Sequence, residues 1–116
     1  MVLAIVGDLF FASKIGQTAK LAGIAIDFVT AEQEVMDSLA RQPTLIIIDL
    51  NFSSINPLSL IGRLKQHPDL HATTILGFLS HVQADLKLAA QNAGCDLVLP
   101  RSAFSQDLSD ILKQHL

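Results

Sequence analysis

Short apolar runs alternate along the chain with longer stretches in which apolar positions recur at helical spacing, and the alternation repeats five times. The first run, Val2 to Val6, ends at Gly7 and Asp8. From about Ala12 to Ala22, the positions Ile15, Ala19 and Ala22 fall at i, i+4 and i+7, and Gly23 supplies a helix stop. Ile24 to Val29 then places Ile24, Ile26 and Phe28 on one face of a strand. Thr30, with Gln33 three positions on, predicts a capping box for a helix reaching about Arg41, and Pro43 marks its exit. Thr44 to Ile48 is the most strand-like run, rich in β-branched residues and too short for an ordinary helix, so it predicts the buried central strand, closed by Asp49.

After a loop over Asn51 to Ile55, Asn56 predicts the cap of a helix that begins at Pro57 and turns Leu58, Ile61 and Leu64 inward as far as His67 and Pro68. A strand over about Thr74 to Leu79 follows, then a helix from about Gln83 to Ala93 stopped by Gly94. A short strand, Leu97 to Leu99, and an amphipathic helix carrying Phe104, Leu108, Ile111 and Leu112 complete the pattern. Strict β-then-α alternation implies a parallel sheet with right-handed crossovers and helices on both faces. The expected fold class is therefore α/β, a flavodoxin-like doubly wound (βα)5 sandwich with strand order 2-1-3-4-5, built as one domain over residues 1–116. Ligands in such folds sit outside the carboxyl ends of the strands. That directs attention to Asp8, Thr30, Asp49 to Asn51, Leu79 to His81, and Pro100 to Ser102.

Composition narrows the function classes. At 116 residues with 50% hydrophobic content, the chain carries one core of its own. Lys and Arg number 8 against 11 Asp and Glu, so no broad basic surface exists to neutralise a run of phosphates, and nucleic acid is not expected as a direct partner. A lone cysteine, Cys95, makes neither an internal disulfide nor a paired-Cys zinc site, and is expected as a packed thiol in a reducing compartment. The amino-terminal run has no positive leader and breaks at Gly7, which argues against a secretory signal. No apolar stretch approaches the ~20 residues of a membrane span, so a cytoplasmic location without a membrane partner is expected. His67 and His71 stand four apart, but all four histidines, His67, His71, His81 and His115, fall in expected loops or helix ends, so no metal site is expected among them, and no Gly-rich phosphate loop follows the first strand.

The best constellation is the pair Asp8 and Asp49, which follow strands that are neighbours in the expected sheet. Together with a loop carbonyl near Asn51 they could hold a hard divalent cation such as Mg²⁺, which takes several oxygens and keeps waters. The alternative is that each aspartate caps the helix or turn after its strand.

At these residues the chain resembles, across essentially its whole length, the receiver domain of two-component response regulators. Asp49, closing the apolar run from Leu45, matches that family's phosphoacceptor, and Asp8 matches one member of its acidic pair. Arg101 falls where the family has lysine, and Leu79 where it has Ser or Thr, with Ser80 next to it; the stretch Ala90 to Val98 also resembles the family's approach to its fifth strand. The departures are several. Gly7 stands in place of the other acid, Arg101 and Ser102 replace a Lys-Pro step, Val98 replaces an aromatic switch residue, and the run Asn51, Phe52, Ser53 lacks the common proline. Arginine is a planar fork where lysine is a compact ammonium, so its reach differs.

The resemblance, with its departures, implies a stand-alone, atypical receiver-like domain, a pseudo-receiver, that is not an enzyme and signals by binding a histidine kinase or a downstream effector, its degenerate Asp49 pocket either weakly phosphorylatable or relieved of that role. Its phosphate pocket would comprise Arg101, Ser80 and Leu79, its metal site Asp8, Asp49 and Asn51, and its cofactor at most a weakly held Mg²⁺. A partner surface or homodimer contact is expected at Val98 and Phe104, while Leu97 and Leu99 are expected in the core. Two alternatives stand beside it: a conventional Mg²⁺-dependent phosphoacceptor modified on Asp49, and a small-ligand binder using the strand-end crevice.

Overall fold

The structure, a computed structural model, describes residues 1–80 and 83–115. Among them, five strands alternate with five α-helices: β1 (Val2–Ile5), α1 (Leu9–Ala22), β2 (Ile26–Val29), α2 (Glu32–Ser38), β3 (Leu45–Asp49), α3 (Pro57–Gln66), β4 (Thr74–Leu79), α4 (Ala84–Ala93), β5 (Leu97–Pro100) and α5 (Arg101–Lys113). Every strand pair is parallel and the order is β2-β1-β3-β4-β5, the flavodoxin-like arrangement. Ile5 is level with Ile48, Asp49 with Phe78, and Leu79 with Pro100, so the residues that follow β1, β3, β4 and β5 open onto one end of the sheet.

All nine residues of β1 and β3 are buried, because helices cover both faces of the sheet. On one face Leu3, Ile5, Ile46 and Ile48 pack with Val35 of α2 and Leu60, Ile61 and Leu64 of α3. On the other, Val2, Ala4, Leu45 and Ile47 pack with Phe11, Ile15 and Ala19 of α1 and Phe104, Leu108 and Leu112 of α5. Cys95 is buried, its Sγ donating to the Leu97 and Ile75 carbonyls, and burial holds its thiol above the ordinary cysteine range.

Several local features differ from the sequence expectation. Helix α1 begins at Leu9 rather than near Ala12, because Asp8 caps it: its Oδ1 accepts the Phe11 N–H at 3.1 Å. The expected Thr30 and Gln33 capping box does not form. Ala31 is the cap residue, and Glu34 accepts the Ala31 N–H at 3.1 Å and the Thr30 N–H at 3.3 Å. An ionised carboxylate satisfies two orphan N–H groups better than a neutral amide one position earlier, and Gln33 pairs instead with Asp37. Asn56 caps α3 as anticipated, accepting from the Ser59 N–H at 3.2 Å ahead of Pro57.

The expected partner surface needs correction. Val98 and Phe104 are both buried, Phe104 completely. The apolar stripe of α5 turns toward the sheet, and the Phe104 ring stacks 4.8 Å from Phe78 and 5.8 Å from Phe11. In β5 the alternation runs opposite to expectation: Val98 points inward, and Leu97, expected in the core, is 41% exposed.

Candidate functional site

Asp49 is the last residue of β3 and is only 3% exposed. Its Oδ1 accepts the Asn51 N–H at 3.0 Å. Burial pushes its carboxyl above the ordinary range. The Asn51 N–H, the Arg101 guanidinium and the Gly7 N–H oppose that shift, while the charge of Asp8 adds to it. Desolvation of the carboxylate prevails.

Asp8 stands at the end of the neighbouring strand, but its oxygens are engaged. One caps α1, and the other, Oδ2, lies 3.6 Å from an Arg101 guanidinium nitrogen. The capping alternative for Asp8 is thus realised. Asn51 fastens two loops together: its Oδ1 accepts the Ser80 N–H at 2.9 Å and its amide nitrogen donates to Gln83 at 3.0 Å. Among the described residues no three His, Cys, Asp or Glu side chains converge as a metal cluster.

Arg101, the first residue of α5, lies against aromatic rings. Its guanidinium carbon is 5.1 Å from the centre of Phe11 and 5.8 Å from that of Phe78, within cation–π range. Its Nε is sealed from solvent and has no hydrogen-bond partner among the described residues. Ser80 joins Arg101 in lining a cavity between α1 and α5, whereas Leu79 lines a different one, of about 240 Å³, with Gln83, Ala84, Lys87 and Pro100. The three expected phosphate-pocket residues are therefore divided between two cavities. His81, also flagged at a strand end, lies outside the described residues.

One residue escaped the sequence reading. A Cβ added at Gly7 would stand under 3.0 Å from two ring atoms of Phe52, so a side chain there requires that ring to move. The ring covers the position where the receiver pattern has its other acid. An aromatic three residues after Asp49, paired with a glycine before Asp8, was the available signal.

Neither a protein-family profile nor a curated protein sequence matches the chain. Solved structures do. The signal receiver domain of a response regulator from Bermanella marisrubri superposes with a TM-score of 0.83 at 19% identity, over 98% of this chain and 95% of that one. The phosphorylated cyanobacterial phytochrome response regulator RcpA gives 0.80 at 16% identity, over 97% and 88%. The Mn²⁺-bound form of response regulator Rcp1 gives 0.73 at 19%, again over 97% and 88%. The chain has the receiver fold. Within that fold, Asp49 ends β3 and Asp8 follows the adjacent β1, with the ring of Phe52 over Gly7 and the guanidinium of Arg101 beside Phe11.

Proposed function

We propose that the chain is a receiver-like signalling module that acts by binding another signalling protein, a histidine kinase or a downstream effector, and does so without phosphorylation of Asp49. The observation that carries this reading is the packing over Gly7. Phosphoryl transfer to a carboxylate requires the developing charge to be neutralised by a cation and positioned donors. A hard cation takes about six oxygens in near-octahedral geometry. Here the position of one acid is filled by the Phe52 ring, and the remaining acid is divided between a helix cap and a guanidinium. That donor set does not fit a tightly held Mg²⁺. The nucleophile itself is poorly accessible and retains its proton to higher pH than an ordinary carboxylate. On this reading the chain is a binding module, not an enzyme.

The conventional phosphoacceptor remains the second reading. It is favoured by the placement of Asp49 and Asp8 on adjacent strand ends, and by the phosphorylated and Mn²⁺-bound states of the two similar structures.

Divalent-cation titration followed by amide NMR separates the two. The parent chain is expected to show no saturable Mg²⁺ effect at Asp8, Asp49 or Asn51 through the millimolar range. The double substitution Gly7→Asp with Phe52→Ala, which restores an acid and clears the ring, is expected to gain one. Saturable Mg²⁺ binding by the parent that disappears in Asp49→Asn would overturn the proposal.

A further inference from the structure

Between the loops that lead into β3 and β4 lies a cavity of about 290 Å³ whose polar lining is Gln42, Thr44, Asp69, His71 and Thr73. It sits at the end of the sheet opposite Asp49, because Thr44 and Thr73 precede strands that finish at Asp49 and Leu79. Its volume, just under the ~300–1,000 Å³ of drug-sized ligand sites, suits a small group.

The side chains here offer acceptors and few protons. Thr73, which is buried, donates its hydroxyl to the Pro43 carbonyl at 2.7 Å, and the Thr44 hydroxyl is turned toward the Met1 carbonyl at 3.4 Å. His71 Nδ1 lies 3.2 Å from the Pro68 carbonyl. A carbonyl only accepts, so Nδ1 carries the proton and the ring in its neutral form leaves Nε2 as an acceptor. Asp69 spends its backbone N–H on the His67 ring, and its carboxylate has no hydrogen-bond or ion-pair partner among the described residues. Arg41, the cation nearest along the chain, is engaged with Asp27 at 2.7 Å. The Gln42 carboxamide is the remaining donor, and it can equally accept. Among the described residues Gln42 is the one non-glycine with a positive φ, 52°. Glycine would be unstrained there, so this carboxamide is kept at the cavity against the preference of its own backbone.

A lining of acceptors around one carboxylate calls for a cation rich in N–H donors. Among the described residues no third carboxylate, thiol or imidazole completes a metal cluster with Asp69 and His71, which disfavours a metal ion. A guanidinium carries five N–H donors in one plane, and its fork matches a carboxylate bidentately. We infer that this cavity binds the guanidinium group of a small organic cation, with Asp69 on the fork, Gln42 Oε1 and His71 Nε2 accepting from the other N–H groups, and the alkyl part against Pro43 and Ala72. The site goes beyond the protein-binding role and gives the chain a small-molecule input in which neither Asp49 nor Arg101 takes part.

The test is amide NMR on the full chain, titrated separately with butylguanidinium and butylammonium through the millimolar range. Butylguanidinium is expected to bind saturably, to shift the Thr44, Asp69, Ala72 and Thr73 amides, and to bind severalfold more tightly than butylammonium, which has the same charge and chain without the planar fork. Asp69→Asn is expected to weaken it about tenfold, the loss of one charge-assisted fork. Gln42→Gly, which suits the left-handed backbone and so preserves the fold, is expected to weaken it severalfold. Asp107→Asn, which removes an exposed acid on α5, is expected to leave it unchanged. Four results would overturn the assignment: no saturable shift with either probe; equal affinity for both probes, which would leave a bare cation site; binding unaltered in both Asp69→Asn and Gln42→Gly; or equal weakening by Asp107→Asn and Asp69→Asn, which would leave only the general attraction of a cation to an acidic protein.

Discussion

Asp49 is a carboxylate kept at a thermodynamic cost. Its folded-state pKa is raised, chiefly by burial, so across the window from the ordinary carboxylate range up to that raised value the folded chain holds more protons than the unfolded one. Stability therefore falls as pH rises through that window and stays lower above it. Asp49→Asn keeps an acceptor for the Asn51 N–H and removes the buried charge. The variant is expected to melt a few degrees above the parent at neutral pH, with the gain fading as pH falls into the ordinary carboxylate range where both states are protonated. Thermal melts followed by circular dichroism check this, and an equal or lower Tm at neutral pH would contradict it. Asp8, Asp49 and Arg101 were legible as strand-end residues because each stands within two residues of the end of an apolar run. The closure of the pocket by Phe52 was not, because Gly7 and Phe52 meet only through the pairing of β1 with β3, which no local periodicity records.

At the scale of elements, the three-ring stack of Phe11, Phe78 and Phe104 joins α1, β4 and α5 beneath the strand-end pocket. It also provides the surface on which Arg101 rests. Phe104→Ala is expected to destabilise the fold by about 3–5 kcal/mol, the usual cost of emptying a buried aromatic site, read from urea unfolding. A change of under about 1 kcal/mol, typical of a surface position, would return Phe104 to the partner surface that the sequence suggested. That suggestion failed for a definable reason: β5 is too short for its alternation to choose a face, and a phenylalanine in the first turn of a helix reads equally well as core or as rim. The longer helices were read correctly in their inward residues, because Ile15 and Ala19 or Ile61 and Leu64 repeat over two turns or more. Capping chemistry was read to within one residue at α2, where the carboxylate of Glu34 rather than Gln33 decided the register.

For the whole molecule, the sheet order was legible because strands buried on both faces appear as continuous apolar runs, and alternation with helices leaves few topologies. Among the described residues no helix is long and apolar enough to cross a membrane. The receiver fold carries a strand-end pocket whose inner acid is replaced by a glycine under an aromatic ring, and whose cation lies within cation–π distance of two others. The account's central claim is that this pocket does not accept a phosphoryl group, so signalling proceeds through binding. Intact-mass analysis of the folded chain after incubation with a small acyl phosphate and Mg²⁺, beside Asp49→Asn, tests it most directly. The account predicts unchanged mass for both proteins; a phosphoryl increment on the parent that is absent from Asp49→Asn would contradict it.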